Sequence, residues 1–176
     1  MKKLTVILIA LMLTLCCAPA LAERLEISLD TTAFTLAFEK PDGASITLDT
    51  REPEFIFLEM YFDDDPSCAY YLMVSPFETY AAQSMAELSD SDLTEYQSAY
   101  IQDMDAPVTE WLTDSAGRKW LFVDENGSSY DGAEAGTIFR GYSISVSAFN
   151  EDFSELSASQ TDRIKALVES VITTEM

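Results

Sequence analysis

The stretch Gly136-Thr137-Ile138-Phe139-Arg140-Gly141-Tyr142-Ser143-Ile144-Ser145-Val146-Ser147-Ala148-Phe149 carries the clearest pattern in the chain. Ile138, Tyr142, Ile144, Val146 and Ala148 fall on one parity and Ser143, Ser145 and Ser147 on the other. Period two sends neighbouring side chains to opposite faces of a strand. The spacing predicts one long strand, aliphatic toward a core and serine toward solvent, as in an antiparallel sheet covered on one side. Arg140 breaks the pattern. The alternation puts it with Ile138, Tyr142 and Ile144, where a guanidinium needs a carboxylate or must leave the core. A bulge at Gly141, an edge position or a structural ion pair would each accommodate it. Otherwise Arg140 is the candidate ligand-binding residue, and its ligand would be an anion.

Upstream, Val108 to Thr113 and Lys119 to Asp124 flank Asp114-Ser115-Ala116-Gly117, which reads as a hairpin. Trp111 and Trp120 sit on its two limbs and are expected as cross-strand core partners rather than a ligand platform. Asp124 to Gly136, rich in glycine, serine and acid, reads as an exposed mobile loop. Nearer the start, Leu25, Ile27 and Leu29, then Phe34, Leu36 and Phe38, then Ile46 and Leu48 alternate with polar or small residues. Lys40-Pro41-Asp42-Gly43 has turn chemistry and is expected to close a hairpin. Phe55 to Phe62, apolar almost throughout except at Glu59, and Tyr70 to Val74 suit central strands covered on both faces. Asp63-Asp64-Asp65-Pro66 is a charged turn between them.

Two helices complete the pattern. Ser84 with Glu87 fits a capping box ahead of Leu93, Tyr96, Tyr100, Ile101 and Met104, although Ser89-Asp90-Ser91-Asp92 offers a second start, and Pro107 ends the run. Ser159 is the expected N-cap of a closing helix whose stripe is Ile164, Leu167, Val168, Val171 and Ile172. The fold class is therefore α+β: a mostly antiparallel sheet with a mid-chain and a C-terminal helix packed on it. This order of elements, with the Trp111 to Phe122 hairpin, the Gly136 to Phe149 strand and the Ile164 to Ile172 helix, resembles the PsbP-like fold. That superfamily includes photosystem extrinsic subunits, a Ran-binding import factor and small bacterial lipoproteins. The resemblance implies a non-catalytic accessory or binding protein, and it carries over no binding residue.

Residues 1–22 read as a signal peptide: Lys2 and Lys3, an apolar run from Leu4 to Cys17, and Ala20-Leu21-Ala22 as the cleavage site. The mature chain is then a single secreted domain, 23–176, beginning at Glu23. An uncleaved anchor, or lipidation at Cys16 or Cys17, are the alternatives. Without Lys2 and Lys3, 8 basic side chains face 31 acidic ones, a formal charge of −23. A field of that sign disfavours nucleic acid and anionic membrane surfaces as partners.

Of 3 cysteines only Cys68 lies beyond the leader, and it reads as a buried thiol. The chain has 0 histidines, which removes Ser-His-Asp and Cys-His catalysis and histidine metal sites. Asp124, Asn126, Asp131 and Glu134 are weak candidates for calcium. The EF-hand pattern fails among them, since Ser129 and Ala135 occupy the glycine and bidentate-glutamate positions. No catalytic residue and no cofactor is expected. The sequence favours a secreted binding domain for an extracellular protein, peptide or small ligand, with no stable membrane insertion after cleavage. A carboxylate-dependent hydrolase acting on glycans is the competitor, because two acids suffice for glycosidic cleavage.

Overall fold

The computed structural model describes residues 24–28, 34–49, 55–77, 84–125 and 132–175. Strands β1 (Arg24–Ser28), β2 (Phe34–Glu39) and β10 (Ile172–Glu175) form a three-stranded sheet in the order β1-β2-β10. The other seven are β3 (Ala44–Asp49), β4 (Ile56–Phe62), β5 (Asp65–Pro76), β6 (Val108–Thr113), β7 (Lys119–Glu125), β8 (Gly132–Phe139) and β9 (Tyr142–Asn150). They make a second sheet in the order β3-β4-β5-β9-β8-β7-β6. Every described pairing is antiparallel. Helix α1 (Asp90–Ile101) follows a 3₁₀ turn, Met85–Glu87, and helix α2 (Ala158–Ser170) precedes β10. The α+β class and the positions of both helices are as the sequence implies.

The expected long strand is instead a hairpin. Phe139 pairs with Tyr142 across a two-residue turn in which Arg140 and Gly141 both have positive φ, 50° and 78°. Two left-handed residues match the twist of the flanking strands, and Gly141 adopts that conformation without steric cost. The turn reverses the chain, so Ile138 lies opposite Ser143 and joins the serine face, while Thr137 lies opposite Ile144. Arg140 therefore does not share a face with Ile144; it stands exposed at the turn with its guanidinium 5.9 Å from the Phe139 ring centroid. Residues 124–136 likewise are not one loop. Asp124 and Glu125 end β7, Gly132 to Gly136 begin β8, and only 126–131 fall outside the described residues.

The Lys40 to Gly43 segment does turn, with the Ala44 amide donating to the Pro41 carbonyl at 3.2 Å. It is no hairpin, however, because β2 pairs with β1 and β10 whereas β3 pairs with β4. The corner passes the chain from one sheet to the other. Between the sheets lies α2, with Ile164, Leu167 and Val168 buried among Leu36, Phe38, Leu58, Leu72, Trp120 and Val146. Its N-cap is Ser157, not Ser159: the Ser157 hydroxyl accepts the Gln160 amide at 3.4 Å, and the Gln160 side chain accepts the Ser157 amide at 2.7 Å. It also ends earlier than the apolar stripe does, since Ile172 starts β10 and pairs with Ala37. The Asp114 turn is tied to this end of the helix. Its buried carboxylate accepts Arg118 Nε at 2.5 Å and Trp120 Nε1 at 2.9 Å, and Arg118 Nη2 donates to the Val171 carbonyl at 2.6 Å.

Helix α1 covers the opposite face of the large sheet, but only at the β7 and β8 end. Its N-cap is Ser89 with a capping box to Asp92, the second of the two possible starts; Ser84 makes no side-chain cap. Tyr96 packs with Leu121, Val123 and Ile138, and a Cβ at Gly136 would stand 3.4 Å from the Tyr96 hydroxyl. That approach leaves Ser145 buried, so the serine face meets solvent only in part. Trp111 and Trp120 are not cross-strand partners: Trp111 lies opposite Leu121 and Trp120 opposite Leu112, on different faces.

Candidate functional site

Away from α1, no described element covers the outer face of the large sheet. Strand β4 sends Ile56, Leu58, Met60 and Phe62 inward and Phe57, Glu59 and Tyr61 outward. Strand β5 sends Tyr70, Leu72 and Val74 inward and Tyr71 and Met73 outward. On β9, Val146 and Ala148 are buried while Ser147 and Phe149 turn outward. These strands are central, yet among the described residues none packs over this side as the expected cover. Phe57 is 38% exposed, Met73 37% and Phe153, beyond the end of β9, 52%.

Register brings the outward aromatics into one row. Tyr71 lies opposite Glu59 and Ser147, so Phe57 and Phe149 flank it diagonally. The ring centroids of Phe57 and Tyr71 are 5.2 Å apart, those of Tyr71 and Phe149 5.1 Å and those of Phe149 and Phe153 6.1 Å, the last two pairs being stacked. Phe57, Tyr71, Met73, Ser147 and Phe149 line a shallow hollow of about 290 Å³. Phe153 reaches the row through a left-handed backbone, φ 57°, which a bulky residue rarely adopts. Asn150 holds that segment: its side-chain amide donates to the Ser154 and Glu155 carbonyls at 3.1 and 3.2 Å, and its oxygen accepts Gln160 Nε2 at 2.8 Å.

Glu59, opposite Tyr71, supplies a charge beside the row. Its carboxylate accepts the Tyr61 hydroxyl at 3.1 Å and the Tyr71 hydroxyl at 3.3 Å. Partial burial, and then the Glu59 charge, push the Tyr71 phenol up to about 12. Burial also raises Tyr61, reinforced by Glu59 and more weakly by the charge of Glu151. Both hydroxyls therefore stay protonated donors through the physiological range, and the face carries carboxylate charge without phenolate.

The residues singled out in the sequence do not assemble into a second site. Asp124 lies opposite Ala133 and Glu134 opposite Val123, in adjacent registers, so the two carboxylates leave opposite faces of the sheet and cannot hold one ion. Asn126 and Asp131 lie outside the described residues, as do Ala20, Ala22 and Glu23. Among the described residues no group of three His, Cys, Asp or Glu is placed to hold a metal ion. Arg140, in the turn between β8 and β9, lies at the opposite end of β9 from Phe149 and does not line the hollow. Cys68 is buried, and desolvation raises its thiol to about 11.

A second concavity, about 280 Å³, lies by α2 and includes Lys40, Phe62, Arg163 and Leu167. Arg163 there is engaged by Asp64 at 2.5 Å and Asp65 at 3.5 Å, with its guanidinium 4.5 Å from the Phe62 centroid. The charged turn expected at Asp63 to Pro66 thus anchors the helix. Sequence reasoning missed Phe57, Tyr71 and Phe149 as a group. The available signal was Glu59, a carboxylate on the parity of Phe57 and Tyr61 in an otherwise apolar run, which marks that parity as the outward one.

No protein-family model matches the chain, and no curated protein matches it. Among solved structures it is similar to the solution structure of cyanobacterial PsbP (CyanoP) from Synechocystis sp. PCC 6803, with a TM-score of 0.44 and 12% identity over 90% of this chain and 97% of that one. Among the described residues no helix is long and apolar enough to cross a membrane.

Proposed function

We propose that the protein is a non-enzymatic binding domain that works outside the cytoplasm and takes its ligand on the open half of the seven-stranded sheet. The row Phe57, Tyr71, Phe149 and Phe153 carries this reading. Burying one such side chain fully is worth about 1.5–3 kcal/mol, so a contiguous group left partly exposed forgoes stabilisation that a partner can supply. Single exposed apolar residues are ordinary; a contiguous patch rimmed by polar groups marks an interaction surface.

Titration of isotope-labelled protein with short peptides and neutral oligosaccharides tests the site independently of the ligand's identity. Amide and aromatic-ring shifts are expected at Phe57, Tyr71, Met73 and Phe149 for whichever class binds. Binding with shifts confined to the Arg163 groove or to the Arg140 turn would defeat the reading.

A further inference from the structure

Resting on that reading of the open face, we infer that its occupant is a basic segment of another protein, with lysine or arginine side chains set among apolar ones. Three features select this chemistry. The hollow is lined by Phe57, Tyr71, Met73, Ser147 and Phe149, with no lysine or arginine among them. Carboxylates border the row: Glu59 lies between Phe57 and Tyr61 on the same outward parity, Glu151 continues the parity of Phe149, and Asp152 precedes Phe153. The whole chain carries a formal charge of −21, a field that draws cations toward any such surface.

The shape of the patch agrees with the charge. Lysine and arginine have long alkyl stems that cover apolar surface while their charged heads reach polar groups at the margin. An apolar centre of Met73 and ring edges with a carboxylate margin fits that division. Neutral sugars prefer an open aromatic face, and here Tyr71 and Phe149 are within 20° of parallel at 5.1 Å, so each ring covers part of its neighbour's face. A second copy of the chain would bring a further charge of −21 against the first, which opposes self-association through this surface.

The probe is a short peptide alternating lysine and leucine, compared with the same peptide carrying glutamine for lysine and with a neutral gluco-oligosaccharide. Affinity is measured by calorimetry on the full chain, and the site is mapped by ring shifts. The lysine peptide should bind at the row, and Glu59→Gln with Glu151→Gln should weaken it about tenfold, the size of effect that losing close charge pairs at an interface produces. A control pair on the exposed side of α2, Asp162→Asn with Glu169→Gln, lowers the net charge equally and should change affinity less than about twofold. Phe57→Ser, with a denaturation midpoint near the parent's, should also weaken binding.

Equal losses from the two acid pairs would mean diffuse attraction and overturn the inference. Equal or tighter binding of the glutamine peptide or the oligosaccharide at the same row would overturn it too, while leaving the open face as the binding site. Lysine-peptide shifts that avoid the row, or dimerisation through it, would remove both the inference and the reading beneath it.

Discussion

On one side of the central strands Leu58, Met60, Leu72, Val74, Ile144 and Val146 are sealed beneath α2 and the small sheet; one residue along, on the same strands, Phe57, Tyr71, Met73 and Phe149 meet solvent. Backbone, pairing and register are shared, so only the side chains distinguish the two surfaces. The sealed side sets Leu, Ile and Val with Met60, Phe62 and Tyr70 into one close-packed core that has few exposed polar groups. The open side sets Phe57, Tyr71, Phe149 and Met73 beside Ser147 and Glu59, apolar area interleaved with groups that tolerate water. The inner surface holds the fold, and the outer one is the surface proposed above for a ligand.

The largest expected contrast is in truncation. Leu167, 3% exposed on α2, should cost about 2–5 kcal/mol when replaced by alanine, because the fill between the two sheets is lost and a cavity remains. Phe57→Ser should cost about 1 kcal/mol or less, the worth of one exposed ring contact. Urea denaturation of the two variants measures both; equal losses would erase the distinction between the faces.

Alkaline pH separates them differently. Burial holds the Cys68 thiol near 11 against an ordinary 9.0, and burial with the Glu59 charge holds the Tyr71 phenol near 12 against 10.0. In each case the folded chain keeps its proton more tightly than the unfolded chain. The contribution is complete below the unfolded value and is lost as pH rises through the folded one, so stability falls across about pH 9–11 for Cys68 and 10–12 for Tyr71. Cys68→Ala should flatten the lower part of that decline and Tyr71→Phe the upper part, read as urea midpoints across the alkaline range. A decline unchanged in both variants would show that neither proton is held as described.

Much of this architecture was legible in the sequence. Period-two runs placed most strands, the Asp114 to Gly117 hairpin is where turn chemistry put it, and Ile164, Leu167 and Val168 do face the core. What escaped was set by backbone sign and by distant pairing. Arg140 carries no local mark of a left-handed residue, so a two-residue reversal read as a continuous strand and put Ile138 on the wrong face. The corner at Pro41 looks like any hairpin turn until β2 is seen to pair with β10, more than a hundred residues later in the chain. The candidate site was hidden by a different ambiguity. A near-continuous apolar run such as Phe55 to Phe62 fits a strand buried on both faces, and only where α1 lands decides which part of the outer face a described element covers.

Phe153 joins the two surfaces and gives the smallest expected effect on stability. Its left-handed backbone costs about 1–2 kcal/mol for a residue with a Cβ. The Phe153 amide donates to the Asn150 carbonyl at 2.9 Å, and Asn150 is in turn fixed by Gln160 on α2, so the sealed side holds a turn that sets a ring on the open side. Phe153→Gly removes the strain but also removes the stacked contact with Phe149, worth about 0.5–1.5 kcal/mol, and gives the unfolded chain more freedom. These changes oppose one another, and the denaturant midpoint should stay within about 1 kcal/mol of the parent's. Binding of the lysine-leucine peptide should nonetheless weaken, because the ring at the acidic end of the row is gone. A loss above about 2 kcal/mol with unaltered peptide affinity would assign Phe153 to the fold instead, and the row would end at Phe149.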